Sequence, residues 1–593
     1  MNQRLFLTKS WYLVFLFMVL TGLVHPIFAT ELESAPEAQF KRLSVAESLR
    51  LSPQERRVYL RQFGIDGETE MIPMRDGTRL STEIYKLPFG DPFATILVRT
   101  PYDKEEAEAL ALPVLLAGYA LVIQDLRGRY ASEGEDLVFQ ADGWGELQDG
   151  YDTIEWIAQQ DWSDTRVGTW GHSAMGITGS MAAAALPPHL VCQVVGFAPT
   201  NGWGQTAYQG GALRKELLEG WLIKRESAHM LPVFREHPTN DAFWDQYDIQ
   251  SRTPLVSVPA LFIGGFYDCF EKGTIEGFLG RQFSGATGAL GNNKLLMGPW
   301  THTNENEEKQ GELTFPTDFD ILDELEITIK WFDYWLKRED NGIMDEPAVR
   351  YFVMGDTSAP GAPGNEWKTG ETFPPAHVPT PVYLHPENRL SLEPPTEANQ
   401  FSTLNFIRED YVPTLGGFNL EIPAGPYDQS PLLSRQDVLV FTSEPLSEPL
   451  EIVGEISAVI FAESDLSDTD ITVRVADVYP DGRSMLLCDG IQRASFIASD
   501  VNPEPIQPGE VVQFTVDCWY TSIVLHQGHR IQIIVANTNY PRFEVNPLYP
   551  LLGTEGYPES TETLIHHSEE YPSHVVLPVI MDETGIMDWD VYD

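Results

Sequence analysis

Positive charge is scarce in this chain. Its 593 residues carry 39 Lys+Arg against 87 Asp+Glu, a formal net charge of −48, and no lysine follows Lys368. So negative a surface repels phosphate and offers no basic stripe, which excludes nucleic acid as a partner. Cysteine is also sparse. Cys192, Cys269, Cys488 and Cys518 are too few and too scattered for a disulfide scaffold. No CxxC and no closely spaced His/Cys set suggests structural zinc, and neither a metal nor an organic cofactor is signalled. Beyond the N-terminal segment no run of 18 uninterrupted apolar residues occurs, so no stable membrane partner is expected. The 47 Gly and 43 Pro follow no period, which removes collagen-like and low-complexity readings. What remains is an ordinary globular composition, 42% hydrophobic and 11% aromatic, long enough for several folding units.

Residues 1–29 read as a secretory signal. Arg4 and Lys9 precede an apolar core at 11–23, and Ala29 is a small residue suited to cleavage. The expectation is export to the periplasm or the cell exterior after cleavage, with a retained single-span anchor as the competing reading. Export permits disulfides. Cys488 and Cys518 lie in strand-like runs and could face one another, or all four cysteines could stay buried thiols.

A charged, partly helical extension spans 30–69, with Pro53 marking a helix break or start. From residue 70, strand patterns at 71–73, 80–85, 95–99, 119–124, 166–170 and 191–197 alternate with helical patterns, notably at 151–159 and 174–186. Such alternation predicts a mostly parallel sheet with helices on both faces. It pauses over 201–254, where Trp203, Trp221 and Trp244 accompany helical runs, and this stretch reads as an inserted helical cap. Strands resume at 259–264 and 294–297, and an amphipathic helix at 322–337 closes the unit by 346. From 347 to 593 short strands alternate with Pro- and Gly-rich turns, predicting a sandwich or jelly roll.

Three turns follow buried strands and end in reactive residue types. The first runs from Trp170 through Gly171-His172-Ser173-Ala174-Met175-Gly176 into a helix, the strand–turn–helix build of a nucleophile elbow. The second ends at Tyr267-Asp268 and the third at Gly298-Pro299-Trp300-Thr301-His302. Serine, acid, histidine in that order suits nucleophilic catalysis. A serine hydroxyl is a weak nucleophile until an imidazole takes its proton, and a carboxylate fixes the imidazole tautomer. The second glycine, Gly176, comes one place later than Gly-x-Ser-x-Gly requires. His172 adjoins Ser173 but points the other way by its position, so it receives no role in proton transfer.

These motifs, with Arg99-Thr100-Pro101-Tyr102-Asp103-Lys104 and Gln124-Asp125-Leu126-Arg127-Gly128-Arg129, resemble those of the cocaine esterase/X-prolyl dipeptidyl-peptidase family of serine hydrolases. That family also contains α-amino-acid ester hydrolases. The resemblance continues through residues 349–355, 437–443 and 528–531, covering about 71–547. It implies an α/β-hydrolase domain with an inserted helical cap, followed by a C-terminal jelly roll. It also implies Ser173 as nucleophile, Asp268 as acid, His302 as base, and the Tyr102 phenol with the Ala174 N–H as oxyanion donors. Ala174 stands where many members carry Tyr, which alters the wall of the acyl pocket.

Trp203 and Trp221 are candidates for that pocket or for cap packing, and Glu271 is a candidate partner for a substrate ammonium. Asp125, Arg127 and Arg129 are expected to form internal ion pairs. The resulting expectation is an exported serine hydrolase cleaving ester or amide bonds of a small-molecule or peptide acyl substrate, without cofactor. X-prolyl dipeptidyl-peptidase and α-amino-acid ester hydrolase or β-lactam acylase activities are the alternatives within the class. A non-catalytic glycan-binding protein is the alternative outside it.

Overall fold

The computed structural model describes residues 36–90, 92–554, 556, 558 and 560–580. The expected signal segment, residues 1–29, lies outside them. Two helices, Val45–Leu49 and Pro53–Gln62, open on Ser44 and Ser52. Each serine accepts from an N–H three residues on, while Glu47 or Glu55 reaches back to the serine's own N–H. Pro53 therefore starts a helix, at the position where its missing N–H would go unused anyway.

Ten strands form the first sheet: β1 Glu68–Pro73, β2 Arg79–Tyr85, β3 Phe93–Thr100, β4 Ala120–Asp125, β5 Ser163–His172, β6 Leu190–Gly196, β7 Ala260–Tyr267, β8 Lys294–Thr301, β9 Val349–Val353 and β10 Glu366–Gly370. Their spatial order is β1-β2-β4-β3-β5-β6-β7-β8-β9-β10. Neighbours from β4 to β9 run parallel, and antiparallel pairs flank them at both edges. Strands β3, β4, β7 and β8 are buried along their whole length, hence their unbroken apolar reading. Helices α1 (Asp149–Ala158) and α2 (Ala174–Ala184) cover the sheet. The alanines Ala182 and Ala183 let α2 settle close against Leu97, Val122 and Val167. This is the expected α/β-hydrolase sheet.

Between β6 and β7 the chain forms helix α3 (Lys215–Lys224) and shorter helical turns. They close around their own cluster of Trp203, Tyr208, Leu222, Phe234, Trp244 and Tyr247. Helices α4 (Glu271–Ser284) and α5 (Ile321–Phe332) follow β7 and β8.

The C-terminal domain is β-rich, with eleven strands in a second sheet. Its two longest, Leu450–Ser464 and Val511–Leu525, pair antiparallel around a bulge at Glu455 to Ser457. The sequence pattern groups the strand at residues 349–354 with the sandwich, yet β9 extends the first sheet, with Val349 opposite Leu295 of β8. A short apolar strand reads alike in either sheet, and only its parallel partner assigns it. Just past β9, Met354 bridges Ile523 of the second sheet. One apolar cluster runs through both domains, from Phe262, Ile275 and Phe352 to Ile452, Ile523 and Ile531.

The charged clamps take the expected form. Arg127 contacts Asp149 and Asp76, each at 2.7 Å, and Arg129 contacts Asp136 at 3.1 Å. Asp125 accepts the Lys104 N–H at 2.8 Å. The four cysteines are buried free thiols, and Cys488 neighbours Cys518. Among the described residues, no helix is long and apolar enough to cross a membrane. Because Asp149 is buried, Arg127→Met leaves it uncompensated and should cost about 3–5 kcal/mol in denaturant unfolding. A loss below about 1 kcal/mol would mean the clamp is a solvated surface pair.

Candidate active site

Strand β5 ends at His172 and α2 begins at Ala174, so the chain reverses on Ser173 alone, at φ 57° and ψ −129°. A non-glycine residue there carries strain of about 1–3 kcal/mol and persists only where its surroundings enforce it. The Ser173 N–H donates to the Gly196 carbonyl and the Ile177 N–H donates to the Ser173 carbonyl, both at 2.9 Å. Close approach dictates the glycines. A Cβ on Gly171 would stand 2.3 Å from the Met175 carbonyl carbon, and one on Gly196 would stand 2.2 Å from the His172 ring. Gly176 packs less tightly, 3.0 Å from a would-be Cβ to the Gly196 oxygen. The displaced second glycine thus still serves the helix–strand contact.

Ser173, Asp268 and His302 follow β5, β7 and β8, so all three sit at the carboxyl edge of the parallel sheet, where ligands collect in open α/β folds. His302 Nε2 lies 2.8 Å from Ser173 Oγ, and His302 Nδ1 lies 2.7 Å from Asp268 Oδ1. With a fully buried carboxylate accepting the Nδ1 proton, Nε2 is left to accept from the serine hydroxyl. Phe197 and Phe270 meet the imidazole edge-on at 6.1 and 5.4 Å. The loop beyond is pinned by Gln310. Its side-chain oxygen accepts from the Thr301 N–H at 2.8 Å, and its nitrogen donates to the carbonyls of Asn304 and Glu307.

Two donors face the serine. Ala174 is the first residue of α2, so its N–H has no acceptor within the helix. The Tyr102 hydroxyl neighbours Ser173. Burial pushes its phenol above the ordinary value, partly offset by hydrogen bonds to Trp221 and Ser173 and by Arg225. The Trp221 indole donates to the Tyr102 hydroxyl at 3.1 Å, and the Arg225 guanidinium lies 4.6 Å from the Tyr102 ring centre. Beside Ser173 a cavity of about 760 Å³, mouth included, extends under the cap, with Phe139, Ile177, Leu218, Trp221, Trp244 and Phe270 among its walls.

Known proteins share this architecture. Residues 76–232 and 223–304 match the X-Pro dipeptidyl-peptidase (S15 family) model, and residues 341–576 match the X-Pro dipeptidyl-peptidase C-terminal non-catalytic domain. Cocaine esterase of a Rhodococcus species is 32% identical over 584 residues, 86% of this chain and 98% of that protein. The chain belongs to the cocaine esterase/X-prolyl dipeptidyl-peptidase family, and it is a hydrolase. Two solved structures share its fold. An aminopeptidase from a marine sediment Thaumarchaeota archaeon has TM-score 0.76 and 24% identity, covering 88% of this chain and 97% of its own. An α-amino acid ester hydrolase has TM-score 0.73 and 24% identity, covering 87% and 97%.

Within this family frame the pocket candidates separate. Trp221 and Ala174 line the cavity. Trp203 does not. It stacks between Tyr208 of the cap and Phe496 of the C-terminal domain and faces a different, polar cleft, because its indole is anchored on the Pro238 carbonyl. Glu271 is also absent from the cavity wall. It is buried behind Asp268, accepts the Tyr520 N–H at 3.1 Å, and burial holds its carboxyl far above the usual range. A carboxyl turned toward the second domain does not meet an ammonium at Ser173. Leu420, from the C-terminal domain, does reach the wall, and no local pattern in the sequence announces it.

His172 forms the network that sequence reasoning missed. Its ring turns from Ser173 toward two acids, with Nδ1 2.9 Å from Glu305 and Nε2 3.2 Å from Glu324. Glu305 lies three residues beyond His302, and Glu324 lies in α5, where it accepts from Asn306 at 2.6 Å. The elbow is thereby tied to the loop carrying His302. Burial disfavours the imidazolium, but Glu324 and Glu305 outweigh it and lift the His172 pKa well above the ordinary value. That folded-state value exceeds the unfolded one. The stabilisation is therefore complete below about pH 6.5 and is lost as pH rises through the raised value. The melting-temperature gap between the protein and His172→Leu should be widest near pH 6 and shrink at alkaline pH. A gap independent of pH would contradict the ion-pair account.

Proposed function

We propose that this hydrolase cleaves esters with a bulky apolar acyl group through an acyl-enzyme on Ser173. The observation that carries this reading is the cavity beside Ser173, which has no charged side chain among its lining residues. Apolar area entering it gains about 25 cal/mol per Å². An ammonium entering it would lose water without gaining a partner.

In this reading His302 takes the Ser173 proton as Oγ attacks the carbonyl, and Asp268 stabilises the imidazolium. The oxyanion receives the Ala174 N–H and the Tyr102 hydroxyl. A phenol pushed up by burial stays protonated, and the Trp221 indole occupies a lone pair on its oxygen, leaving the phenolic hydrogen for the substrate. His302 then protonates the leaving alkoxide and later activates water.

A dipeptidyl-peptidase or amino-ester hydrolase has to hold a substrate α-ammonium near the acyl carbon. Two buried acids around the cap base have other partners: Glu216 accepts the N–H groups of Leu420 and Glu421, and Glu271 accepts that of Tyr520. Uncharged acyl esters therefore take precedence. We also propose that the enzyme works outside the cytoplasm, supported by the charged and apolar pattern of residues 1–29. A mature N-terminus near Ala29 on the secreted protein would agree with this, and an intact Met1 on a cytoplasmic protein would not.

Tyr102→Phe should lower kcat by roughly 10²–10³ with little change in KM, because the lost bond forms in the transition state. On a panel of aryl-acyl esters, Xaa-Pro anilides and amino-acid esters, kcat/KM should rank the uncharged aryl-acyl esters first. Preference for a free α-amino group would overturn the substrate assignment while leaving the Ser173 mechanism standing.

A further inference from the structure

We propose that Asp356, His526 and His529 form a zinc site at the seam between the two domains. One ligand atom from each lies within 4.8 Å of the other two. Asp356 follows β9 of the first sheet, while His526 and His529 belong to the turn joining Val511–Leu525 to Arg530–Ala536 in the second. None of the three lines the Ser173 cavity. The backbones on either side are already joined. The Met354 N–H donates to Ser522 at 2.9 Å, and the Val524 N–H donates to Met354 at 2.8 Å.

Each of the three side chains has one polar atom held by another group, which leaves its remaining atom for the cluster. Buried His529 is held at Nδ1 by Asp477, at 2.8 and 3.0 Å, so Nε2 is the free nitrogen. This carboxylate–histidine pairing is the arrangement that orients imidazole ligands in metal proteins. Asp356 Oδ1 accepts from the Ser358 N–H at 2.7 Å and the Ser358 hydroxyl at 2.6 Å, which turns Oδ2 toward His529. His526 Nδ1 lies 3.0 Å from the Gln527 carbonyl, which leaves its Nε2. His529 is further fixed against the Tyr479 ring, with centroids 4.4 Å apart.

The spacing suits an ion better than a direct bond. His529 Nε2 and Asp356 Oδ2 are 3.5 Å apart, beyond the roughly 2.7–2.9 Å of a charge-assisted hydrogen bond. Two ligands about 2.0–2.1 Å from a tetrahedral ion stand about 3.3 Å from each other. Two imidazoles and one carboxylate suit zinc over calcium or magnesium, which prefer all-oxygen sites. Asp356 also borders an open groove with Glu312, Ser358, Asn365 and Arg483, through which water can supply a fourth ligand. Arg483 is engaged by Asp481 at 2.8 Å. The ion would cross-link the edge of the hydrolase sheet to the β-rich domain. The pair His526-x-x-His529 is too short a signal on its own, and Asp356 lies too far away along the chain to complete a local motif.

The test uses the full chain, stripped with EDTA and titrated with Zn²⁺ alone. The expected result is one zinc per chain by elemental analysis and a melting temperature that rises with zinc concentration. Co²⁺ should give the visible absorption of a four-coordinate ion, and Ca²⁺ and Mg²⁺ should have no effect. His526→Ala, at a partly exposed position, should abolish stoichiometric binding, and Ser358→Ala should weaken it about 10–100-fold. Absence of saturable zinc binding, or binding unchanged by His526→Ala, would reduce the cluster to a plain His529–Asp356 ion pair.

Discussion

Ser173 is held in a backbone conformation that a side chain ordinarily avoids, and the hydrolase half of the molecule is arranged to keep it there. The carbonyl of Gly196, at the end of the neighbouring strand, anchors its N–H, while Gly171 and Gly176 let α2 start almost on top of β5. Relaxing that turn would move the hydroxyl off the imidazole, and it would swing the Ala174 N–H away from the space it shares with Tyr102. The strain is local, whereas the forces that impose it come from a buried parallel sheet.

The second constraint is long-range. Asp268 and His302 sit on separate loops, and the loop carrying His302 is tied down from two sides. Gln310 clamps the His302 loop from one side, and His172 with Glu305 and Glu324 clamps it from the other. The cap contributes Trp221, whose indole serves both as cavity wall and as hydrogen-bond partner of Tyr102. Cap, elbow and loop are thus mechanically coupled, and the β-rich domain joins them by placing Leu420 on the cavity wall.

Much of this was legible in the sequence because the relevant signals are short-range. Buried parallel strands read as apolar runs, the elbow as glycines around a serine, and Pro53 as a helix break or start. The cavity was legible only in part. Trp221 and Trp203 are both cap tryptophans, and what separates them is the acceptor each indole finds, Tyr102 for one and the Pro238 carbonyl for the other. Glu271 looked available because sequence distance from Asp268 carries no information on which domain it faces. Strand β9 was grouped with the wrong sheet for a similar reason, since register with β8 is a property of the partner.

In the proposed mechanism one hydroxyl, on Ser173, becomes covalently acylated. Treating the intact enzyme with a fluorophosphonate and mapping the adduct by tandem mass spectrometry tests it most directly. The account predicts a single stoichiometric adduct on Ser173, with ester hydrolysis lost in parallel. An adduct on another residue, or full hydrolysis by a protein labelled at Ser173, would contradict it.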